Sequence, residues 1–134
     1  MYGRVTLGDG DIVIANASGT LSADNGFNLG TNTRIGSASV PINLSSDYGT
    51  ITSSGNNTVF GSLNAGSGSI TLNDATVSGT LRALGNINLT EGSVAGLVTS
   101  TSNRITTNGT NLAGGASASS GMTITGGLLS GAFT

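Results

Sequence analysis

Any catalysis this sequence can offer rests on six carboxylates: Asp9, Asp11, Asp24, Asp47, Asp74 and Glu91. There is no His, so the chain has neither an ordinary base titrating near neutral pH nor an imidazole to hold a metal. There is no Cys, which removes thiol nucleophiles, zinc–thiolate sites and disulfides together. Carboxylates working alone must converge in pairs, as they do in polysaccharide-cleaving sites, or ring a hard cation such as Ca²⁺. Only Asp74 and Glu91 have the spacing to meet. Asp74 lies two residues past Leu72 and Glu91 two past Leu89, and those leucines hold the same place in successive repeats. Two like charges stacked at one corner can hold Ca²⁺ or share a proton. No further partner accompanies them, and we read them as solvated corner residues.

A second weak candidate is the run Leu7-Gly8-Asp9-Gly10-Asp11, which has a faint likeness to the calcium-binding nonapeptide repeat. That motif works by recurring, and the run occurs once. A polar turn between two strands accounts for Asp9 and Asp11. The expectation is therefore no catalytic residue, no bound metal and no cofactor.

The elements that would position these residues are written as a repeat. From Leu81 the inward candidates are Leu81, Ala83, Ile87, Leu89 and Val94, and the series restarts at Val98 after 17 residues. The next coil, Val98, Ser100, Ile105, Thr107 and Leu112, restarts at Ala116 after 18. Ala116, Ala118, Met122, Ile124 and Leu129 follow, then Phe133 after 17. Backwards, Leu63, Ala65, Ile70, Leu72 and Val77 precede Leu81 by 18. Each apolar pair has period 2, the strand period, and a repeat of this length marks a solenoid. One coil cannot bury its own apolar face, but coils stacked about 4.8 Å apart can. The fold class expected is all-β: a parallel β-helix of coils of about 17–18 residues, a single domain over 1–134. Seven coils open near Val5, Leu21, Ser39, Leu63, Leu81, Val98 and Ala116.

Gly61, Gly79, Gly96 and Gly114 each precede the opening pair of a coil, which places them at a corner. The step from Ser39 to Leu63 takes 24 residues and carries the only proline, Pro41. It predicts about six inserted residues leaving the solenoid as a loop within 40–58. On the second strand of each coil the outward residues form two files. Thr71, Asn88, Thr106 and Thr123 make one, and Asn73, Thr90, Asn108 and Thr125 the other. Such an array can be ordinary exposed-strand chemistry, or it can recognise ice, a glycan or a crystalline surface by repetition.

Charged residues are only 7% and the net charge is −2, without Lys. Four scattered arginines do not make the basic face that nucleic acid requires. No apolar run approaches a membrane helix, and no membrane insertion is expected. The Ser/Thr/Asn/Gly-rich, Lys-free composition points to an extracellular or cell-surface bacterial protein, with the cytoplasm as the alternative.

The segments Gly79-Thr80-Leu81-Arg82-Ala83, Gly85-Asn86-Ile87-Asn88-Leu89 and Gly92-Ser93-Val94-Ala95-Gly96 resemble the bactofilin-type coil. The same coil occurs in the repeat regions of secreted proteins associated with MSHA-type pili. The resemblance implies a right-handed solenoid with three short sheets, and transfers no catalytic residue. Bactofilins are cytoplasmic and polymerise end to end, with charged outward faces and a polar tail that this chain lacks. The functional expectation is a secreted or surface-displayed stalk, filament subunit or adhesin. The alternatives are a cytoskeletal bactofilin-like polymer, or an ice- or glycan-binding solenoid. Partners are expected to be further copies, joined through terminal edges that carry Val5, Leu7, Leu129 and Phe133.

Overall fold

Runs of two to five residues with apolar side chains at every second position form short strands, and glycine- and asparagine-rich corners turn the chain between them. The computed structural model describes residues 3–134 and shows a β-solenoid of about seven turns built from three parallel sheets. The first sheet has seven strands: Val5–Leu7, Phe27–Leu29, Ile51–Ser53, Ile70–Asn73, Ile87–Thr90, Ile105–Asn108 and Met122–Thr125. The second stacks Ile12–Val13, Arg34–Ile35, Asn57–Val59, Ala75–Val77, Ser93–Val94 and Asn111–Leu112. The third stacks Gly19–Ala23, Ile42–Ser46, Leu63–Ala65, Leu81–Ala83, Val98–Ser100 and Ala116–Ala118. Parallel bridges from Leu112 to Leu129 and from Ala116 to Phe133 start one further turn.

From Leu63 onward the register is the one read from spacing. Leu63, Leu81, Val98 and Ala116 align, as do Ile70, Ile87, Ile105 and Met122. Leu81, Leu89, Val94 and Val98 are buried, at most 3% exposed. Ile124 was expected in the same class but is half-buried, because no coil covers its outer side.

The first three coils depart from the expected register. Val5 pairs with Phe27 in the first sheet, so it belongs with Ile70 and not with Leu81. Ser39 is exposed, and the residue aligned between Leu21 and Leu63 is Leu44. The inserted residues consequently sit earlier than expected. Ile35 and Leu44 are nine positions apart where Val77 and Leu81 are four, and the excess leaves the solenoid over 37–41. Ser37 and Val40 close this excursion by reciprocal backbone hydrogen bonds of 3.0 and 3.2 Å. Ser45 and Ser46 lie in a strand, and Asp47-Tyr48-Gly49 turns tightly against the carbonyls of Ala23 and Asp24 beneath. Early coils are also longer: Val5 to Phe27 spans 22 residues and Phe27 to Ile51 spans 24.

One apolar cluster runs the length of the axis, with Phe27, Leu29, Ile35, Leu44, Ile51, Leu63 and Ile70 all fully buried. Where a hydroxyl replaces an inward alanine it ties down the next corner. Ser100 Oγ donates to the Gly85 carbonyl at 2.8 Å and accepts from Asn103 N–H. The glycines before the third sheet are set by contact more than by turning. A Cβ on Gly96 would sit 2.6 Å from the Gly79 carbonyl oxygen, and one on Gly79 2.5 Å from that of Gly61. Successive coils approach too closely there for any side chain.

Candidate functional site

The corner between the first and second sheets holds one left-handed residue per coil. Gly10, Asn32, Asn56, Asp74, Glu91, Gly109 and Gly126 all have φ between 46° and 78°. Each lies three residues before an inward residue of the second sheet. Asn and Gly tolerate this conformation; Glu does so at a cost. Asn56 donates its side-chain amide to the Asn32 side-chain oxygen, one coil below. Asp74 and Glu91 do stack here, since Asn73 is opposite Thr90 and both residues follow those strands. Both side chains are exposed, and no cation partner is within salt-bridge distance among the described residues. No group of three metal-ligating side chains occurs among the described residues.

Asp9 and Asp11 serve the turn. Asp11 accepts from Gly8 N–H at 2.7 Å, and Asp9 accepts from Thr31 N–H in the next coil, also at 2.7 Å. The first bond closes the polar turn between Val5–Leu7 and Ile12–Val13 that the spacing suggests, and the second ties that turn to the next coil. Two shallow grooves lie on the third-sheet side and beside the outward file of the first sheet. One, of about 180 Å³, is lined chiefly by Asn64, Arg82, Leu84 and Thr101. The other, of about 400 Å³, is lined by Asn86, Asn88, Asn103, Arg104, Thr106 and Ser120. Neither groove is lined by a carboxylate.

The outward files are the most regular feature. Thr71, Asn88, Thr106 and Thr123 are aligned by strand pairing, and Asn73, Thr90, Asn108 and Thr125 run beside them. The first file extends to Thr52, Asn28 and Thr6, giving seven consecutive Thr or Asn residues along the first sheet. Sequence spacing missed these three, because the early coils were placed out of register. Alternation of inward Val5, Leu7, Phe27 and Leu29 with outward Thr6 and Asn28 was the signal available. Within the file, Thr52 Oγ1 donates to Asn28 Oδ1 at 3.0 Å. Beside it, Asn73 Nδ2 donates to the Ser54 carbonyl at 3.2 Å.

The two ends form the remaining candidate surface. Val5, Leu7 and Val13 are half-buried at one end and Leu21 is 36% exposed, whereas its counterpart Leu44 is fully covered. At the other end Met122, Ile124 and Phe133 are half-buried and Leu129 is 47% exposed. These side chains point into the core, and among the described residues no complete coil covers their outer side. Comparisons with protein-family models, curated proteins and solved structures returned no match to this chain, so the likeness to bactofilin-type coils rests on the coil pattern alone.

Proposed function

We propose that this chain is a non-catalytic structural module, a stalk, filament subunit or adhesin displayed outside the cell, which lengthens by stacking coil on coil. The observation that carries this reading is the stack itself, in which successive coils bury their apolar residues against the coils above and below in three continuous parallel sheets. Among the described residues, the outermost first-sheet strands Val5–Leu7 and Met122–Thr125 each leave one edge unpaired, with half-buried Val5, Leu7, Met122 and Ile124 that a further coil, of this chain or another, would bury. Such edges are templates for pairing. The Lys-free surface of Ser, Thr, Asn and Gly supports the extracellular setting. A cytoplasmic bactofilin-like polymer is the same physical object in another compartment. Light scattering and electron microscopy over a concentration series test the proposal. Growing particles that revert to monomers on Phe133→Lys support it, since a charge at the edge blocks pairing. A particle that stays monomeric at every concentration overturns it.

The seven-residue Thr/Asn file favours a second reading, recognition of a periodic solid surface. Its rungs repeat every ~4.8 Å along the axis, and the neighbouring file is about 6.6 Å away along each strand. Retention on crystalline polysaccharide, or inhibition of ice recrystallisation, should be lost on Asn88→Lys with Thr106→Lys while the fold is kept. Wild-type protein inactive in both assays sinks this reading.

A further inference from the structure

We propose that the corner between the third and first sheets binds an acidic polysaccharide, a chain of sugars bearing carboxylates, held by Arg82 and Arg104. This goes beyond the stacking reading and does not depend on it, since one copy carries the whole site. The two shallow grooves flank that corner, the smaller along the ends of third-sheet strands and the larger along the starts of first-sheet strands. Gly85 alone separates Leu84 in the first groove from Asn86 in the second, and Ser102 alone separates Thr101 from Asn103. Each groove holds one arginine, and both arginines are exposed. Arg82 stands opposite Asn64 and Thr99 in the third sheet, and Arg104 donates its backbone N–H to Asn86 Oδ1 at 3.3 Å. Four residues of chain and one coil step separate the two arginines, which puts their Cα atoms within roughly 15 Å.

Charge and chemistry select the ligand. From Leu63 onward the chain has two carboxylates, Asp74 and Glu91, and both follow the far ends of first-sheet strands. A strand's length, roughly 15 Å, keeps them from the Arg104 corner, more than a Debye length at ordinary salt. The corner is therefore locally positive in a chain of net charge −2. A guanidinium pairs with a carboxylate through two parallel hydrogen bonds. Beside the arginines, Asn64, Asn88, Asn103 and Thr106 supply the donors and acceptors that sugar hydroxyls need. Leu84, 41% exposed on the ridge between the grooves, offers an apolar contact to a sugar ring. Asn103 Nδ2 donates to the Leu84 carbonyl at 3.3 Å and Ser120 Oγ to the Ser102 carbonyl at 3.2 Å, so the corner is ordered before any ligand arrives. Neither groove is lined by an aromatic side chain, which leaves no platform for stacked bases and disfavours a nucleic-acid strand. A small anion would engage one arginine, whereas a polymer crossing the ridge engages both. Asp47, whose carbonyl accepts from Ser67 N–H in the coil above, closes the site on the side of Gly66.

Calorimetric titration with oligogalacturonate, and with neutral dextran of equal length, tests the proposal at protein concentrations where light scattering detects no association. The expected result is binding of oligogalacturonate that weakens with added salt, and dextran bound at least roughly tenfold more weakly. Arg82→Gln and Arg104→Gln should each weaken binding by roughly tenfold, the scale of a lost hydrogen bond to a charged group. Asp47→Asn should tighten it. Arg34→Gln should leave it unchanged, because Arg34 lies in the second sheet with its guanidinium 5.2 Å from the Phe60 ring centroid. All four side chains are exposed, so each variant keeps the core. Absence of oligogalacturonate binding, or wild-type affinity in both groove variants, overturns the proposal. So does an equal loss in Arg34→Gln, which would mean diffuse charge and no site. Tighter binding of a single-stranded oligonucleotide of the same charge overturns the ligand class. Free galacturonate that competes as well as the oligomer, sugar for sugar, overturns the span across both grooves.

Discussion

Replacing Glu91 by glycine should make the protein more stable, although it removes a side chain and adds none. Glu91 sits at φ 57°, in the left-handed region, at a corner where the neighbouring coil uses Gly109 at φ 72°. An L side chain in that conformation costs about 1–2 kcal/mol. Glycine gives back about 0.4–1 kcal/mol through the extra freedom of its unfolded chain. The net gain expected is about 0.5–1 kcal/mol, or roughly 2–5 °C in Tm for a domain of this size. Glu91→Gln separates backbone from charge. It keeps the strain and removes the like-charge repulsion with Asp74, and as an exposed change it should stay within about 0.5 kcal/mol. The reverse substitution, Gly109→Ala, should destabilise by a similar net amount. A Cβ there meets nothing closer than Glu91 Cγ at 3.7 Å, so the penalty is conformational and not a clash. Urea unfolding, at concentrations low enough to hold the monomer, reads the midpoint at constant m. Loss of stability in Glu91→Gly, or a gain in Gly109→Ala, would refute the corner argument.

Leu89→Ala, at a position 3% exposed, should cost about 2–5 kcal/mol through the cavity it leaves. Ile124→Ala should cost clearly less because its outer side is uncovered, and equal losses in chemical denaturation would contradict that placement. Thr107 Oγ1 is buried without a hydrogen-bond partner in a file otherwise held by Leu72, Leu89 and Ile124. Thr107→Val should therefore raise stability by about 1 kcal/mol, and a loss would mean the hydroxyl is satisfied. Gly96→Ala places a methyl 2.6 Å from the Gly79 carbonyl oxygen and should cost about 1–3 kcal/mol in a thermal melt. A neutral result would show that the coils can separate at that corner.

How far the sequence reaches depends on which coil is read. From Leu63 to Leu129 the strands are held in a nearly constant 17–18-residue frame, and inward and outward residues follow from alternation alone. The parallel stacking of coils is a consequence of that frame, because short apolar pairs at fixed spacing can be buried only against their own repeats; that each coil carries three strands was implied only by the resemblance and is decided by the structure. The stacking of Asp74 on Glu91 was legible for the same reason. Coils of 22–24 residues carry no such frame. The strand Val5–Leu7 is three residues long and has nothing local to say which of three sheets it joins. Its pairing with Phe27, and that of Leu44 with Leu21 and Leu63, is decided by contacts with other coils. Those contacts set the inward side of the early strands, and with it the full length of the Thr/Asn file. Tertiary structure likewise decided the backbone at Glu91, for glutamate has no local preference for positive φ. It is held there because the coils above and below turn at the same point, and a corner that left the stack would lose its hydrogen bonds to both.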